Sequence, residues 1–416
     1  VIYTDGAGAG AAVVDAFASL NIGDLTATNI AGTLTTAAQT NITSVGTLTG
    51  LTVSGNVSID GGTIKLDGNY PTASNNVALV NGVLDAVATG GNNNTAIGNN
   101  VLTDNTTGQL NTAVGSEALA NNTTGENNDA FGVEALVTNT TGTKNVAIGR
   151  DSLGANTTAS NNTALGFAAL KANTTGATNV AVGSVALDAN TTASDNTAVG
   201  YASLSSNTTG ASNTAMGRQA LWANTTAANN TGIGYFALKS NTTGGNNTAV
   251  GFQSLDANTT GTWNIGIGYG ALSANTTAND NVAVGSNALV ANTTGAYNVG
   301  VGSIALNANT TGSNNTAVGF GALDTNTTTG HGTAIGYEAL SANTTSFNTA
   351  VGSQALKANT SGDSLVAVGA QSLVANTTGA GNTAVGRDTL GSNTTGADNT
   401  ALGKSALYGN TTGNFN

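Results

Sequence analysis

The amino-acid sequence predicts an all-β, fibrous fold: a β-solenoid or β-roll of nineteen 17-residue repeats. The composition is the first reason, because only 7 % of the 416 residues are charged, 4 % are aromatic, and Gly occurs 58 times. Thr, Val and Ile favour strands, whereas Gly and Asn favour turns. The second reason is a glycine that recurs every 17 residues, with one slip of a single residue, from Gly98 to Gly403. Fixed-period similarity of this kind is typical of stacked repeat architectures.

Each copy follows the pattern N-T-A-V-G-x-x-A-L-x-x-N-T-T-G-x-x, whose residues are numbered here as positions 1 to 17. Gly at position 5, Leu at position 9 and Asn at position 12 occur in all nineteen copies. The glycine suits a positive φ or a close backbone approach, and the leucine is the large apolar residue that every copy offers to a core. N-T-T-G predicts a turn in which the glycine at position 15 adopts the left-handed region. We take as representative structural residues Gly98, Leu102, Asn105, Gly115, Leu119, Asn122, Gly200, Leu204 and Asn207.

The length of the repeat favours one coil of a solenoid, with two short strands and two turns in each coil. Tyr201, Tyr235 and Tyr269 recur at a spacing of 34 residues, which is also a period of helical repeats. Units rich in Asn, Thr, Val and Gly form poor helices, so we reject a helical solenoid. Coils stacked at the spacing of β-strands, about 4.8 Å, predict a rod roughly 90 Å long.

The residues before the array differ from it and predict three further segments. Residues 1–22 form an N-terminal segment with a short helix, and 23–70 form a Thr/Gly-rich β shaft. Residues 71–92 are predicted as a helical neck or linker, with Val77, Val80, Leu84 and Val87 on one helix face. A buried helix in a globular cap is the alternative for this segment. The repeat array occupies 93–416.

The variable positions of the repeat are 6, 7, 10, 11, 16 and 17, and they carry nearly all of its charged and aromatic residues. One interpretation is a solvated face that packing leaves unconstrained. The other is an array of weak contacts for a glycan or a cell surface. The candidate surface-contact residues are Phe167, Tyr201, Trp222, Tyr235, Phe252, Trp263, Tyr269 and Tyr337.

Several kinds of chemistry are disfavoured, and we expect no enzyme, no cofactor and no metal site. The net charge of −12 is spread thinly, whereas nucleic-acid binding needs clustered Lys and Arg. No apolar run is long enough for membrane insertion. The sequence contains no Cys and a single His, His331, so an N/S metal site is not expected.

Two stretches resemble known fibrous proteins. The segment TAAQTNITSVGTLTGLTVSGNVSIDG resembles shaft segments of marine phage tail fibres, and the NTAVG-x-x-AL-x-x-NTTG array resembles repeats of tail-fibre proteins. The NVAIG and NTAVG pieces are also similar to head repeats of trimeric autotransporter adhesins. The resemblance implies a homotrimer in a virion tail or at an extracellular surface. Its expected partners are further copies of itself, other virion tail or baseplate proteins, and a host cell-surface glycan or protein.

Three functional hypotheses follow from these observations. The first is a structural fibre of a phage tail, a stiff spacer that contributes to host attachment through multivalent weak contacts. The second is a bacterial trimeric cell-surface adhesin. The third is a β-solenoid that binds ice through its regular rows of Thr.

Overall fold

The computed structural model describes residues 68–70, 73–79 and 83–416. The segment predicted at 1–22, and the predicted β shaft except its last three residues, lie outside the described residues. Every copy of the repeat contributes one strand of three residues, from position 2 to position 4. Two strands precede the array: β1 (Gly68–Tyr70) and β2 (Ala73–Leu79). The strands of the array are β3 (Thr95–Ile97), β4 (Thr112–Val114), β5 (Asp129–Phe131), β6 (Val146–Ile148), β7 (Thr163–Leu165), β8 (Val180–Val182), β9 (Thr197–Val199), β10 (Thr214–Met216), β11 (Thr231–Ile233), β12 (Thr248–Val250), β13 (Ile265–Ile267), β14 (Val282–Val284), β15 (Val299–Val301), β16 (Thr316–Val318), β17 (Thr333–Ile335), β18 (Thr349–Val351), β19 (Val366–Val368), β20 (Thr383–Val385) and β21 (Thr400–Leu402).

The strands form a single parallel ladder in which each strand pairs with the equivalent strand of the next coil. Thr214 pairs with Thr231, one repeat further along, and the same register continues from β3 to β21. β2 joins this ladder in parallel, and β1 pairs with β2 in the antiparallel direction. The predicted β-solenoid is therefore confirmed, with nineteen coils stacked in register over about 90 Å at the usual strand spacing.

The expected second strand in each coil is absent from the array, although its segment does connect neighbouring coils. The backbone N–H of Thr208 donates to the carbonyl of Thr225 at 2.8 Å, and that of Leu204 donates to Ala220 at 3.0 Å. Bonds of this kind recur along the rod, so each coil is tied to the next outside the strand as well as within it. The segment itself consists of turns and bends rather than a strand.

The constant glycine at position 5 has the positive φ that the sequence predicts, between 129° and 143° in the first eighteen coils. A Cβ on Gly217 would lie 2.5 Å from the carbonyl oxygen of Gly234, so the backbone of the next coil excludes a side chain here. The prediction for position 15 is wrong, because none of the glycines at that position has a positive φ. Left-handed φ values fall instead at positions 7, 9 and 17, as in Gln219, Leu221 and Asn229.

The core is a thin stack of small and medium side chains. Position 3, which is Ala or Gly, and the leucine of position 9 point into each coil, as Ala215 and Leu221 show with 0 % exposure. The residue at position 8 lies beside the leucine and is a small residue in most coils, for example Ala220. Since one coil alone would leave this face open, stacking is what makes the core continuous.

The helical neck predicted at 71–92 is wrong where the structure describes it. Residues 73–79 form β2, and residues 83–93 consist of bends and turns. Val77 pairs with Thr95, and Leu84 is buried with a φ of 55°, close to the 50° of Leu102. The apolar residues spaced like a helix face therefore belong to a degenerate coil that precedes the array. Val80 lies outside the described residues.

Candidate interaction surfaces

Two ladders of buried asparagine hold one corner of the rod. Asn207, at position 12, donates its amide N–H groups to Asn190 Oδ1 at 3.0 Å and to the carbonyl of Gly210 at 2.9 Å. Asn196, at position 1 of the same coil, donates to that carbonyl as well, at 3.0 Å. All of these asparagines are completely buried. Buried polar groups need partners, and here each amide bridges its own coil and its neighbour.

The representative structural residues occupy three different places in the coil. Leu102, Leu119 and Leu204 fill the core, and all are completely buried. Asn105 and Asn122 belong to the position-12 ladder, in which Asn122 donates to Asn105 Oδ1 at 2.8 Å. The equivalent glycines stand at the bend after the strand and have φ values of 135°, 129° and 133°, for Gly98, Gly115 and Gly200 respectively.

The two threonines of the N-T-T-G corner differ in what their hydroxyl groups face. At position 13, Thr208 donates its hydroxyl to the carbonyl of Thr225 at 3.1 Å, and this bond recurs along the rod. The hydroxyls of position 13 are therefore used within the stack. Thr209, at position 14, is exposed.

The outer face of the strand ladder is a flat, nearly uncharged strip formed by positions 2 and 4, which we call the sheet strip. Position 4 is apolar in every coil, and eight of its side chains are 36–43 % exposed, including Ile233 and Ile267. Position 2 is Thr, Val or Ile in every coil except the third, where it is Asp129. Sequence reasoning recognised the alternation but did not assign this apolar column to the outside.

All eight candidate surface-contact residues are exposed, but they do not form one surface. Six lie at position 6, directly after the glycine bend, where they follow the rod on one side. Trp222 stands at position 10 and Trp263 at position 17, on other parts of the coil. The members at position 6 are Phe167, Tyr201, Tyr235, Phe252, Tyr269 and Tyr337, with exposed fractions of 37–58 %.

Consecutive aromatic residues at position 6 stack on one another. The ring centroids of Tyr235 and Phe252 are 5.3 Å apart, and those of Phe252 and Tyr269 are 5.4 Å apart. Arg218 lies in the same row, with its guanidinium carbon 5.9 Å from the centroid of Tyr235 and 5.6 Å from that of Tyr201. Arg218 was recognised in the sequence as a residue of a variable position, but only the aromatic residues were selected as candidate contacts.

A small charged cluster lies on coils 3 to 5. Lys171 Nζ is 3.3 Å from Asp151 Oδ2, and Arg150 Nε is 3.9 Å from the same oxygen. Burial opposes ionisation of Asp151, but hydrogen bonds from Glu134 and Lys171 lower the pKa of its carboxyl. The hydrogen bond to Asp151 and the negative charge of that residue raise the pKa of Glu134. Glu134, Asp151 and Lys171 line a shallow depression, and the two cations of the cluster both pair with Asp151.

The part of the chain that the structure describes offers no group of three or more His, Asp or Glu side chains that could hold a metal ion. His331 stacks on Phe347, with ring centroids 5.1 Å apart. Within the same described ranges, no helix is long and apolar enough to cross a membrane. Comparison with known protein families and with curated proteins gives no match to this chain.

Proposed function

We propose that this chain is a structural fibre of a phage tail, a stiff spacer that also contributes to host attachment through many weak contacts. The observation that carries the proposal is the unbroken ladder of nineteen coils in register, with two asparagine ladders and a threonine ladder beside it. Because every coil pairs its strand with the next coil in the same register, the length of such a rod grows with copy number. A chain in which most residues belong to repeats that add length is suited to holding two structures apart.

The sheet strip supports self-association. Over nineteen coils, a strip about 10 Å wide and about 90 Å long offers roughly 900 Å², close to the ~800 Å² that each partner buries in a stable protein interface. Its side chains are almost entirely uncharged, and the apolar column of position 4 forms roughly half of it, which is within the size of exposed apolar patches that mark interaction sites. We propose that further copies of the chain cover the strip, and the resemblance to trimeric fibres favours three copies.

Attachment in this proposal depends on avidity rather than on one strong site. Variable side chains recur along the rod, and a trimer would present each of them three times. Contacts linked on one stiff body bind a repeated surface far more tightly than any single contact does. Other tail or baseplate proteins would hold one end of the fibre, and a host-surface glycan or protein would meet its sides.

The mass and the length of the particle test the proposal together. We expect light scattering to give the mass of three chains, and negative-stain images to show a rod that shortens by about 5 Å for each repeat removed. The double variant Ile233→Lys/Ile267→Lys places charges on the sheet strip and should lower the mass. Asn246→Lys is the matched control, because Lys144 occupies the same position 17 in coil 3. A monomeric wild-type chain would refute the self-association.

Antibody labelling of whole particles tests the location. Gold particles on the tails of purified virions are the expected result. Labelling of the bacterial envelope, with none on virions, would support the adhesin alternative and refute the phage proposal.

A further inference from the structure

The 34-residue recurrence of tyrosine has a structural consequence on coils 7 to 11. Position 6 of these five consecutive coils is occupied by Tyr201, Arg218, Tyr235, Phe252 and Tyr269, which we call the aromatic track. Every coil of the track thus carries a planar side chain at position 6, and every second coil carries a tyrosine. At the spacing of stacked strands, the tyrosine hydroxyl groups recur about every 10 Å. Serine occupies the same position in the flanking coils, as Ser184 and Ser286, so the track has two defined ends.

The track is continuous and outward-facing. The planes of Tyr235 and Phe252 are within 9° of parallel, and those of Phe252 and Tyr269 within 4°. The centroid distances of 5.3 and 5.4 Å exceed the contact distance of carbon atoms, about 3.5–4.0 Å. Rings placed directly over one another in contact would have centroids at that shorter distance, so neighbouring rings do not cover one another completely. Exposed fractions run from 37 % at Tyr235 to 58 % at Tyr269. The track therefore offers a row of partly open ring faces and hydroxyl groups.

The charge around the track differs from that of the whole chain. Coils 7 to 11, residues 196–280, contain two bases, Arg218 and Lys239, and two acids, Asp256 and Asp280, and so are neutral in a protein of net charge −12. Lys239 Nζ lies 4.2 Å from the ring centroid of Phe236, beside the track. Among the described residues, neither base has a carboxylate within 4.0 Å. Arg218 would therefore meet an acidic ligand without losing a carboxylate partner, whereas the charge of Lys239 already acts on Asp256.

We propose that the aromatic track binds an extended, acidic polysaccharide that lies along the rod. Aromatic rings offer a broad apolar surface to the C–H face of a sugar, and tyrosine adds a hydroxyl group for hydrogen bonding. An extended acidic polysaccharide with a two-sugar repeat, in which a uronic acid alternates with a neutral sugar, presents its carboxylates on every second sugar, as the tyrosines recur on every second coil. Arg218, fixed between two rings, meets a carboxylate or sulfate group of that chain. This assignment names a ligand class for the surface contacts of the proposed fibre and rests on that proposal.

A single-stranded nucleic acid fits the same surface less well. Its backbone carries one negative charge per nucleotide, and proteins that bind it line their grooves with Lys and Arg. The track contains one arginine in five coils.

Binding of defined oligomers to the full chain tests the proposal. The probes are an eight-sugar hyaluronate fragment, a neutral cello-oligosaccharide and a 20-nucleotide oligo-dT, each titrated while Trp222 and Trp263 fluorescence is followed and checked by affinity electrophoresis. We expect the acidic oligosaccharide to bind most tightly. The triple variant Tyr235→Ser/Phe252→Ser/Tyr269→Ser, which uses the natural residue of the flanking coils, should weaken it about tenfold or more, since linked contacts are lost together.

Two matched controls separate the track from its surroundings. The variant Phe320→Ser/Tyr337→Ser removes a stacked pair, 5.7 Å apart, from the same position in coils 14 and 15, and should change affinity less than about twofold. Arg218→Gln should reduce binding of hyaluronate but not of the neutral oligosaccharide. Tighter binding of oligo-dT than of hyaluronate, equal binding by the triple variant, or no binding by the full chain would each overturn the assignment.

The same samples distinguish this proposal from the one on which it rests. Light scattering of the triple variant reports whether the track is instead part of the contact between copies, and a loss of mass on that substitution would overturn the ligand assignment. A wild-type monomer that still binds hyaluronate would refute the trimeric fibre and leave the track assigned. A trimer that binds no acidic glycan would refute the ligand assignment and leave the trimeric fibre in place.

Discussion

Gly217→Ala should destabilise its region of the rod more than Gly210→Ala does in the preceding coil. Gly217 has a φ of 133°, a conformation that side chains rarely adopt, and a Cβ there would lie 2.5 Å from the carbonyl oxygen of Gly234. Backbone strain of this type costs about 1–3 kcal/mol, and forcing extra atoms into a packed site costs about 1–3 kcal/mol more. We therefore expect a loss of about 3–5 kcal/mol in the free energy of unfolding of that region.

Gly210→Ala is the control that separates the two causes. A Cβ on Gly210 would come at least as close to the carbonyl of the next coil, yet its φ is not positive. Other coils carry alanine at the same position 15, as Ala193 and Ala227 show, so small shifts accommodate the methyl group. We expect a cost below about 1 kcal/mol, the usual range for a tolerated change. Gly403→Ala isolates backbone strain, because φ is 111° but no atom lies within 4 Å of the added Cβ.

Urea unfolding followed by tryptophan fluorescence measures the effect locally. Trp222 lies in the same coil as Gly217, and Trp263 lies two coils further on. Stability in stacked repeats is a sum of terms within each coil and between neighbours, so a weakened coil should lower the transition seen by Trp222 first. If Gly217→Ala and Gly210→Ala shift the midpoint equally, the φ argument for the constant glycine is refuted.

Three further predictions concern other parts of the coil. Asn207→Ala removes a completely buried amide from the ladder and should lower the free energy of unfolding in urea by about 2–4 kcal/mol. Thr209→Ala, at an exposed position nearby, should lower it by less than about 0.5 kcal/mol. Equal losses would contradict the role given to the asparagine ladder. Ser212→Gly should raise stability by about 0.5–1 kcal/mol, because Ser212 is exposed at a φ of 58° and glycine relieves this left-handed strain; a lower melting temperature would count against it. Burial raises the pKa of Asp256, and the charge of Lys239 opposes this effect. The protonated carboxyl of Asp256 therefore stabilises the folded state at low pH, and this contribution is lost as the pH rises through the raised pKa. Asp256→Asn should therefore be more stable than wild type at pH 7 and should lose that advantage near and below pH 3.8. Chemical unfolding at a series of pH values measures the difference, and Asp280→Asn, at an exposed position, is the control for the removal of one charge.

Most of the fold could be predicted from the 17-residue period and the invariant residues of the repeat. The register of i to i+17 follows directly from the spacing of Gly98 and its equivalents, because in-register stacking is the arrangement that places identical residues together. The glycine of position 5 and the leucine of position 9 also behave as expected, since a missing side chain and a large apolar side chain each have few structural uses. The positive φ of the position-9 leucine was not predictable, because leucine seldom adopts it and nothing in its side chain signals it.

The degenerate first coil shows where pattern reading failed. Val77, Leu84 and Val87 have helical spacing, and the residues that mark a coil elsewhere, the glycine of position 5 and the asparagine of position 12, are missing from this segment. Its equivalence rests on V-A-L at positions 2 to 4 and V-L at positions 8 and 9. A neighbouring coil that offers a strand edge and a buried leucine row stabilises this pairing, which is a tertiary effect that local periodicity does not contain.

The division between fixed and variable positions explains how one rod can combine rigidity with recognition. Positions 5, 9 and 12 are constrained by contacts to the next coil, so a change at any of them disturbs two coils at once. Position 6 directly follows the glycine bend, yet its side chain points outward and tolerates Ser, Arg, Phe and Tyr without altering the register. Neighbouring coils at this position still lie within stacking distance, so substitutions in consecutive repeats create a surface that no single repeat contains. The aromatic track is such a surface, and its length is set by how many adjacent copies carry a planar residue.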